Sequence, residues 1–226
     1  MNIKLIACGS TKWDRFVKNW GLAFLIDDDV LFDTFGKPRV FLKNIKKLNV
    51  DISRIKHIII SHDHWDHMSG LWDILAFNKN VTVYVCLDTD NAIKEKIKSY
   101  GVILQEIDTA RCIIRNIFTL GELSKDGILY EQSLCIKSEK GLILITGCAH
   151  PGIVEIIEKA KQQFAGDIYA VIGGFHLKGS QAQEILNVID KLKKMNVKYF
   201  TPLHCTGKLA VNYFKSNLDC VSLDEI

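Results

Sequence analysis

Short apolar runs rich in Ile, Val, Leu, Phe and Tyr recur at 3–8, 22–26, 30–33, 56–61, 81–86, 102–107, 112–119, 128–137, 141–146, 167–172 and 197–201. Branched and aromatic residues in runs of this length predict strands. Between them the apolar positions take up a three-and-four rhythm over 38–48, 66–77, 88–100, 151–164, 180–195 and 206–216, which predicts helices. In 180–195 the rhythm is carried by Ala182, Ile185, Leu186, Ile189 and Leu192. Ser180 is placed to cap its start, and Lys191, Lys193 and Lys194 suit the negative end of its dipole. Strands and helices alternate in the first half, strands alone fill 102–146, and alternation then resumes. Such an order predicts an α/β (α+β) protein with two sheets packed face to face and helices on both outer sides. With no linker and no internal repeat, residues 1–226 read as a single layered domain.

Composition narrows the class. With 226 residues, 48% of them hydrophobic and 24% charged, the chain is globular and not disordered. Its longest apolar runs fall far short of the roughly 18 residues needed to cross a bilayer, so no membrane span is expected. The 29 basic and 26 acidic residues leave a formal charge of +3, and the basic side chains form no stripe. A nucleic-acid partner is therefore not expected, whereas a small anionic substrate is compatible. The seven cysteines contain no CxxC pair and read as reduced thiols, and no charged leader with a cleavage site is visible, so the expected compartment is the cytoplasm. Cys148 and Cys205 read as small buried side chains, His57 as an ordinary strand-start residue, and Trp13, Trp20, Trp65 and Trp72 as core or pocket-wall packing, with facing substrate the alternative for Trp65, which lies between the motif residues.

Chemistry collects on the histidines. Three of the seven stand in one hexapeptide, His62-Asp63-His64-Trp65-Asp66-His67, between an apolar strand and a helical pattern. Side chains alternate in extended backbone, so His62 and His64 point the same way, while Asp66 and His67 approach from the next turn. Imidazole and carboxylate ligate zinc, manganese and iron, and this arrangement suits two ions better than one. His150, His176 and His204 lie in loops that also follow apolar strands: Thr146-Gly147-Cys148-Ala149-His150-Pro151-Gly152, Gly173-Gly174-Phe175-His176-Leu177 and Thr201-Pro202-Leu203-His204-Cys205-Thr206-Gly207. Any one of these would read as a polar loop residue; together they predict a metal site held on a rigid scaffold. Thr206 and Lys208, at the start of an apolar-periodic stretch, are candidates for holding a phosphate-like anion.

His62, His64, Asp66 and His67 match the HxHxDH motif of the metallo-β-lactamase superfamily, which the chain resembles from about residue 20 to 210. Phe32-Asp33-Thr34 resembles that superfamily's early strand-end Asp motif. The strings around Trp20 to Ile26, Thr146 to Gly152, Gly173 to Leu177 and Pro202 to Gly207 resemble a narrower branch, typified by dihydropterin ribofuranosylaminobenzene phosphate synthase. The resemblance implies a four-layer αββα sandwich. It also implies one ion on His62, His64 and His150 and a second on Asp66, His67 and His204. Asp33 would then orient a histidine ring from behind, and Asp66 and His176 would act in catalysis, His176 meeting substrate or protonating the leaving group. Three departures stand out: Phe35 where the early motif has Gly, Met68-Ser69-Gly70 after the hexapeptide, and Ala170 to Gly174 without the Asp that bridges two metals in most superfamily hydrolases. Asp167 is expected to begin that strand and not to end it.

Two divalent ions, zinc foremost and manganese or iron as alternatives, would lower the pKa of a bound water and supply a hydroxide nucleophile. No GxSxG, Walker loop or GxGxxG is present to suggest another route. The expected function is hydrolysis of a small phosphoester-like anion. The alternatives are a pterin-pathway synthase of the same fold and a non-hydrolytic iron-binding redox or sensing protein. The sequence leaves the oligomeric state open.

Overall fold

The computed structural model describes residues 1–9 and 19–226; Trp13 lies outside the described residues. The chain is a mixed α/β protein with two six-stranded sheets flanked by helices, and it divides into two compact units. Among the described residues the first unit holds 1–9 and 19–108, and the second holds 109–226.

The first sheet takes its strands in chain order: β1 (Ile3–Gly9), β2 (Gly21–Ile26), β3 (Val30–Phe32), β4 (His57–Ile59), β5 (Thr82–Cys86) and β6 (Ile103–Ile107). From β3 to β6 all pairings are parallel, so the loops leaving β3, β4 and β5 emerge at one end of this sheet. The crossovers run through α1 (Pro38–Lys47), α2 (Trp65–Met68), α3 (Leu71–Phe77) and α4 (Asn91–Ser99). Their apolar faces bury Phe41, Ile45, Leu71, Ile74 and Ile97 with Leu31, Ile58, Ile60 and Val83 of the sheet. Each such side chain contributes about 1.5–3 kcal/mol of transfer free energy.

The second sheet has the order β12-β11-β10-β9-β8-β7. Its strands are β7 (Thr109–Ile114), β8 (Ile117–Leu123), β9 (Glu131–Ser138), β10 (Gly141–Thr146), β11 (Ile168–Gly174) and β12 (Val197–Leu203). The β7 to β10 stretch is an antiparallel meander, whereas β10, β11 and β12 run parallel, so the loops after these three strands also share one end. Helices α5 (Ile153–Gln163), α6 (Ala182–Lys193) and α7 (Lys208–Asn217) bury Ile157, Ile185, Ile189 and Phe214 against Leu144, Val171 and Phe200.

Three expectations are corrected. The run 112–119 is not one strand but parts of two, because the polar pair Arg115-Asn116 turns the chain, Arg115 at φ 50°, and pairs Ile114 with Ile117. The pattern 66–77 is interrupted between α2 and α3, where the Gly70 N–H donates to Phe35 O at 3.3 Å and the Thr34 N–H to His67 O at 2.6 Å. α6 is capped by Gln181, whose N–H donates to the Glu184 carboxylate at 3.0 Å, and not by Ser180. Of the tryptophans, Trp20 and Trp72 are half-buried, and Trp65, which opens α2 with its ring over Gly36, is 53% exposed. None of the described helices is long and apolar enough to cross a membrane, and none of the seven cysteines is in a disulfide.

Candidate functional site

The chemistry-bearing residues form one cluster in each unit. In the first unit, the parallel pairing of β3 with β4 brings Asp33, just past β3, beside Ser61 and His62, just past β4. Asp33 is completely buried in left-handed backbone (φ 58°), its own N–H bonded to Ile59 O at 2.9 Å. Its carboxylate accepts from the Ser61 N–H (2.7 Å), the Ser61 hydroxyl (2.8 Å) and His67 Nδ1 (2.6 Å). The hydroxyl has a single proton, and the carboxylate takes it. The 2.8 Å contact from Ser61 Oγ to His62 Nδ1 therefore has the ring nitrogen as donor. His62 thus presents Nε2 as a lone pair, 3.1 Å from His64 Nδ1, and the two rings stand 4.6 Å apart. His67 lies 4.2 Å ring to ring from His62, and its Nε2 is 3.4 Å from Asp66 Oδ2. Burial pulls the His67 ring toward its neutral form, but the Asp33 and Asp66 carboxylates outweigh it, and the pKa is pushed up to about 10.

In the second unit a carboxylate that the sequence reading did not single out plays the matching part. Glu131, the buried first residue of β9, accepts from three consecutive backbone N–H groups, Cys148 (2.8 Å), Ala149 (2.8 Å) and His150 (3.0 Å). It also accepts from His150 Nδ1 at 2.8 Å, which again leaves Nε2 as the lone-pair nitrogen. The left-handed Ala149 (φ 59°) curls the backbone around the carboxylate in an anion nest.

His176, exposed and two residues past β11, lies 4.3 Å ring to ring from His150 with the planes tilted by 50°, while Asp167 precedes β11 at its other end. No carboxylate of this strand therefore reaches the His176 end. His204 is buried in a tight turn after β12. The Cys148 sulfur lies within 4.8 Å of a ring nitrogen of His150 and of His204. The Cys205 thiol is pulled upward by burial, but hydrogen bonds from Cys148 and His176 and the nearby His204 hold it well below the usual thiol range. His176 is raised in turn, chiefly by its bond to Cys205. His176 (φ 50°) and His204 (φ 46°) share the left-handed backbone of Ala149. Non-glycine residues held there cost about 1–3 kcal/mol each, and such strain collects where side chains must be aimed.

The anion pair expected at the start of α7 divides. Lys208 is exposed on the first turn, but Thr206 is fully buried, its hydroxyl donating to Leu203 O at 2.6 Å and accepting from the Phe175 N–H at 3.1 Å. Thr206 therefore joins two loops and does not offer its hydroxyl outward. Phe35, where the superfamily's early motif has Gly, does adopt left-handed backbone (φ 62°), with its ring buried in the first core.

Ring-orienting carboxylates are worth about 10–100-fold in metal affinity. Asp33→Asn should keep the fold, since Asn tolerates left-handed backbone, yet its amide would set a donor against the Ser61 or His67 donors. Metal titration into the chelated variant should show a loss within that range; unchanged affinity would exclude Asp33 as a positioning group.

A family model described as the metallo-beta-lactamase superfamily matches residues 19–118. Among curated proteins, the 7,8-dihydropterin-6-methyl-4-(beta-D-ribofuranosyl)-aminobenzene-5'-phosphate synthase of Methanocaldococcus jannaschii is 34% identical, over 88% of this chain and 85% of its own. A solved metal-dependent hydrolase of the beta-lactamase superfamily, Tm1679, superposes with TM-score 0.77 at 28% identity, covering 97% of this chain and 94% of its own. The metallo-beta-lactamase fold protein YhfI of Bacillus subtilis shares the fold at TM-score 0.65 and 14% identity, over 97% and 96% of the two chains. With identity above 30% sustained over most of both chains, and the motif loops built as described, the chain belongs to the metallo-beta-lactamase superfamily, as an enzyme of the branch that resembles the dihydropterin ribofuranosylaminobenzene phosphate synthase.

Proposed function

We propose that this protein is a metal-dependent hydrolase of a small, phosphoester-like anion, working with two divalent ions, zinc foremost. The observation that carries this reading is the tautomer pattern. His62, His67 and His150 each have Nδ1 held by a hydroxyl or carboxylate, and each turns Nε2 away from that partner. Structural histidines do not need three such arrangements; metal ligands do. The positive charge that Asp33 and Asp66 stabilise on His67 is one that a divalent cation supplies equally well. The candidate ligands are His62, His64, Asp66 and His67 within the first unit and His150 and His204 within the second. Bound ions would bring a water's pKa close to neutrality and polarise the oxygen under attack. His176, exposed beside His150, is then suited to carry a proton to the leaving group, and Lys208 to steer an anion.

A second reading is favoured by the 34% identical relative: a synthase whose named product carries a 5'-phosphate. The same site would then assist a condensation, again on a phosphate-bearing substrate. Turnover of generic phosphomonoesters and phosphodiesters by metal-reconstituted protein, set beside an assay for the relative's product, separates the two. His64 is exposed on a loop, so His64→Ala should change stability by no more than about 0.5 kcal/mol. It should lower bound metal and abolish turnover. A variant that keeps both its metal and its rate would overturn the ligand assignment.

A further inference from the structure

Cys148, His176 and Cys205 come from the loops after β10, β11 and β12, and the parallel order of these strands delivers all three to one end of the second sheet. The two sulfurs and a His176 ring nitrogen all lie within 4.8 Å of one another. Bond lengths of about 2.3 Å to sulfur and about 2.0 Å to nitrogen put tetrahedral ligands about 3.8 Å apart for two sulfurs and about 3.5 Å for sulfur and nitrogen. Separations within 4.8 Å must close by about 1.0 Å or less between the sulfurs and by about 1.3 Å or less between sulfur and nitrogen to reach that geometry.

Backbone features serve this clustering. Gly174 leaves room for Cys205, since a Cβ there would lie 2.6 Å from its sulfur. Left-handed backbone at Ala149, directly after Cys148, and at His176 itself aims two of the three donors. Cys148 and Cys205 are 4% and 5% exposed, whereas His176 faces solvent, so a cation can enter from that side and keep its fourth position open. Thiolate ligands select zinc-class and other thiophilic cations, a preference distinct from that of the histidine and aspartate cluster in the first unit.

We infer that Cys148, His176 and Cys205 form a thiolate–imidazole site for a thiophilic divalent cation. None of its three ligands belongs to the ligand set proposed above, but His176 is the proton carrier proposed there, so a cation bound here would take that role from it. Cobalt(II) added to the chelator-treated full-length protein tests it through the near-ultraviolet sulfur-to-cobalt charge-transfer band. The band should appear in the parent and persist in His64→Ala. Cys148→Ser and Cys205→Ser should each lose intensity, and together abolish it. No band in the parent, a band that survives both serine substitutions, or one that disappears in His64→Ala would overturn the inference. Hydrolysis by a parent protein with no thiolate band would refute this site alone and leave the proposed function standing. Should the serine variants not fold, alkylation of the unaltered chain decides. Bound metal should slow labelling at Cys148 and Cys205 but not at the buried Cys86 and Cys135, and equal labelling with and without metal would again overturn it.

Discussion

Glu131→Ala is expected to cost the protein both stability and metal. Removing this carboxylate strips the acceptor from three backbone N–H groups and the His150 ring, all in or beside a buried loop. Removing one partner from a buried hydrogen-bonded charge costs about 3–5 kcal/mol, a large part of the stability of a domain this size. Glu131→Gln is the sharper variant, because an amide offers one acceptor oxygen where the carboxylate offers two. Whichever way it is turned, two donors meet its NH₂ group: either Cys148 and Ala149, or the His150 N–H and Nδ1–H. In the second orientation the His150 ring regains a bond only by moving its proton to Nε2, the nitrogen that a metal needs. Metal affinity should therefore fall about 10–100-fold even where the fold survives. Thermal denaturation and metal titration of the two variants check this, and a Gln variant with parental affinity would remove Glu131 from the site.

Gly173→Ala should be among the most damaging glycine substitutions. Gly173 sits in β11 at φ 130°, opposite Thr146, and a Cβ there would fall 2.1 Å from the Thr146 carbonyl oxygen. Both partners in that collision are backbone of paired, buried strands, so neither can yield as a side-chain end would. No L-residue is comfortable at this φ, and the expected loss is on the order of 4 kcal/mol or more. Gly101→Ala is the control: it too is left-handed (φ 74°), but nothing lies within 4 Å, and about 1 kcal/mol is expected. Equal urea midpoints for the two variants would show the strand contact to be unimportant.

Hydrophobic period and the HxHxDH motif made much of this legible. The strand runs anticipated the two sheets, and the loops bearing His62, His150, His176 and His204 do follow strands or their immediate extensions. What escaped the sequence were relations between distant residues. Glu131 sat within a run that looked like strand packing, and its partners lie 17 to 19 residues away. A lone carboxylate in an otherwise buried strand was the only signal it gave. Ser61 read as the end of a strand, and its relay from Asp33 to His62 depends on the β3 and β4 pairing. Cys148 and Cys205, 57 positions apart, could not be paired by spacing. The Arg115-Asn116 turn was missed because its left-handed residue is Arg and not Gly or Asn.

The donor loops are anchored by Asp33 and Glu131 through bonds that need no cation. In small zinc domains the ion's binding energy is the folding energy, and the apo chain is unfolded. Here each unit has its own apolar core, and its ligand-bearing backbone is already fixed to a carboxylate. The cation therefore arrives at a finished polypeptide. If the proposed metal site is right, scarcity of metal would chiefly lower the fraction of molecules that work, and would cost the folded chain only the added stability that a bound ion lends it.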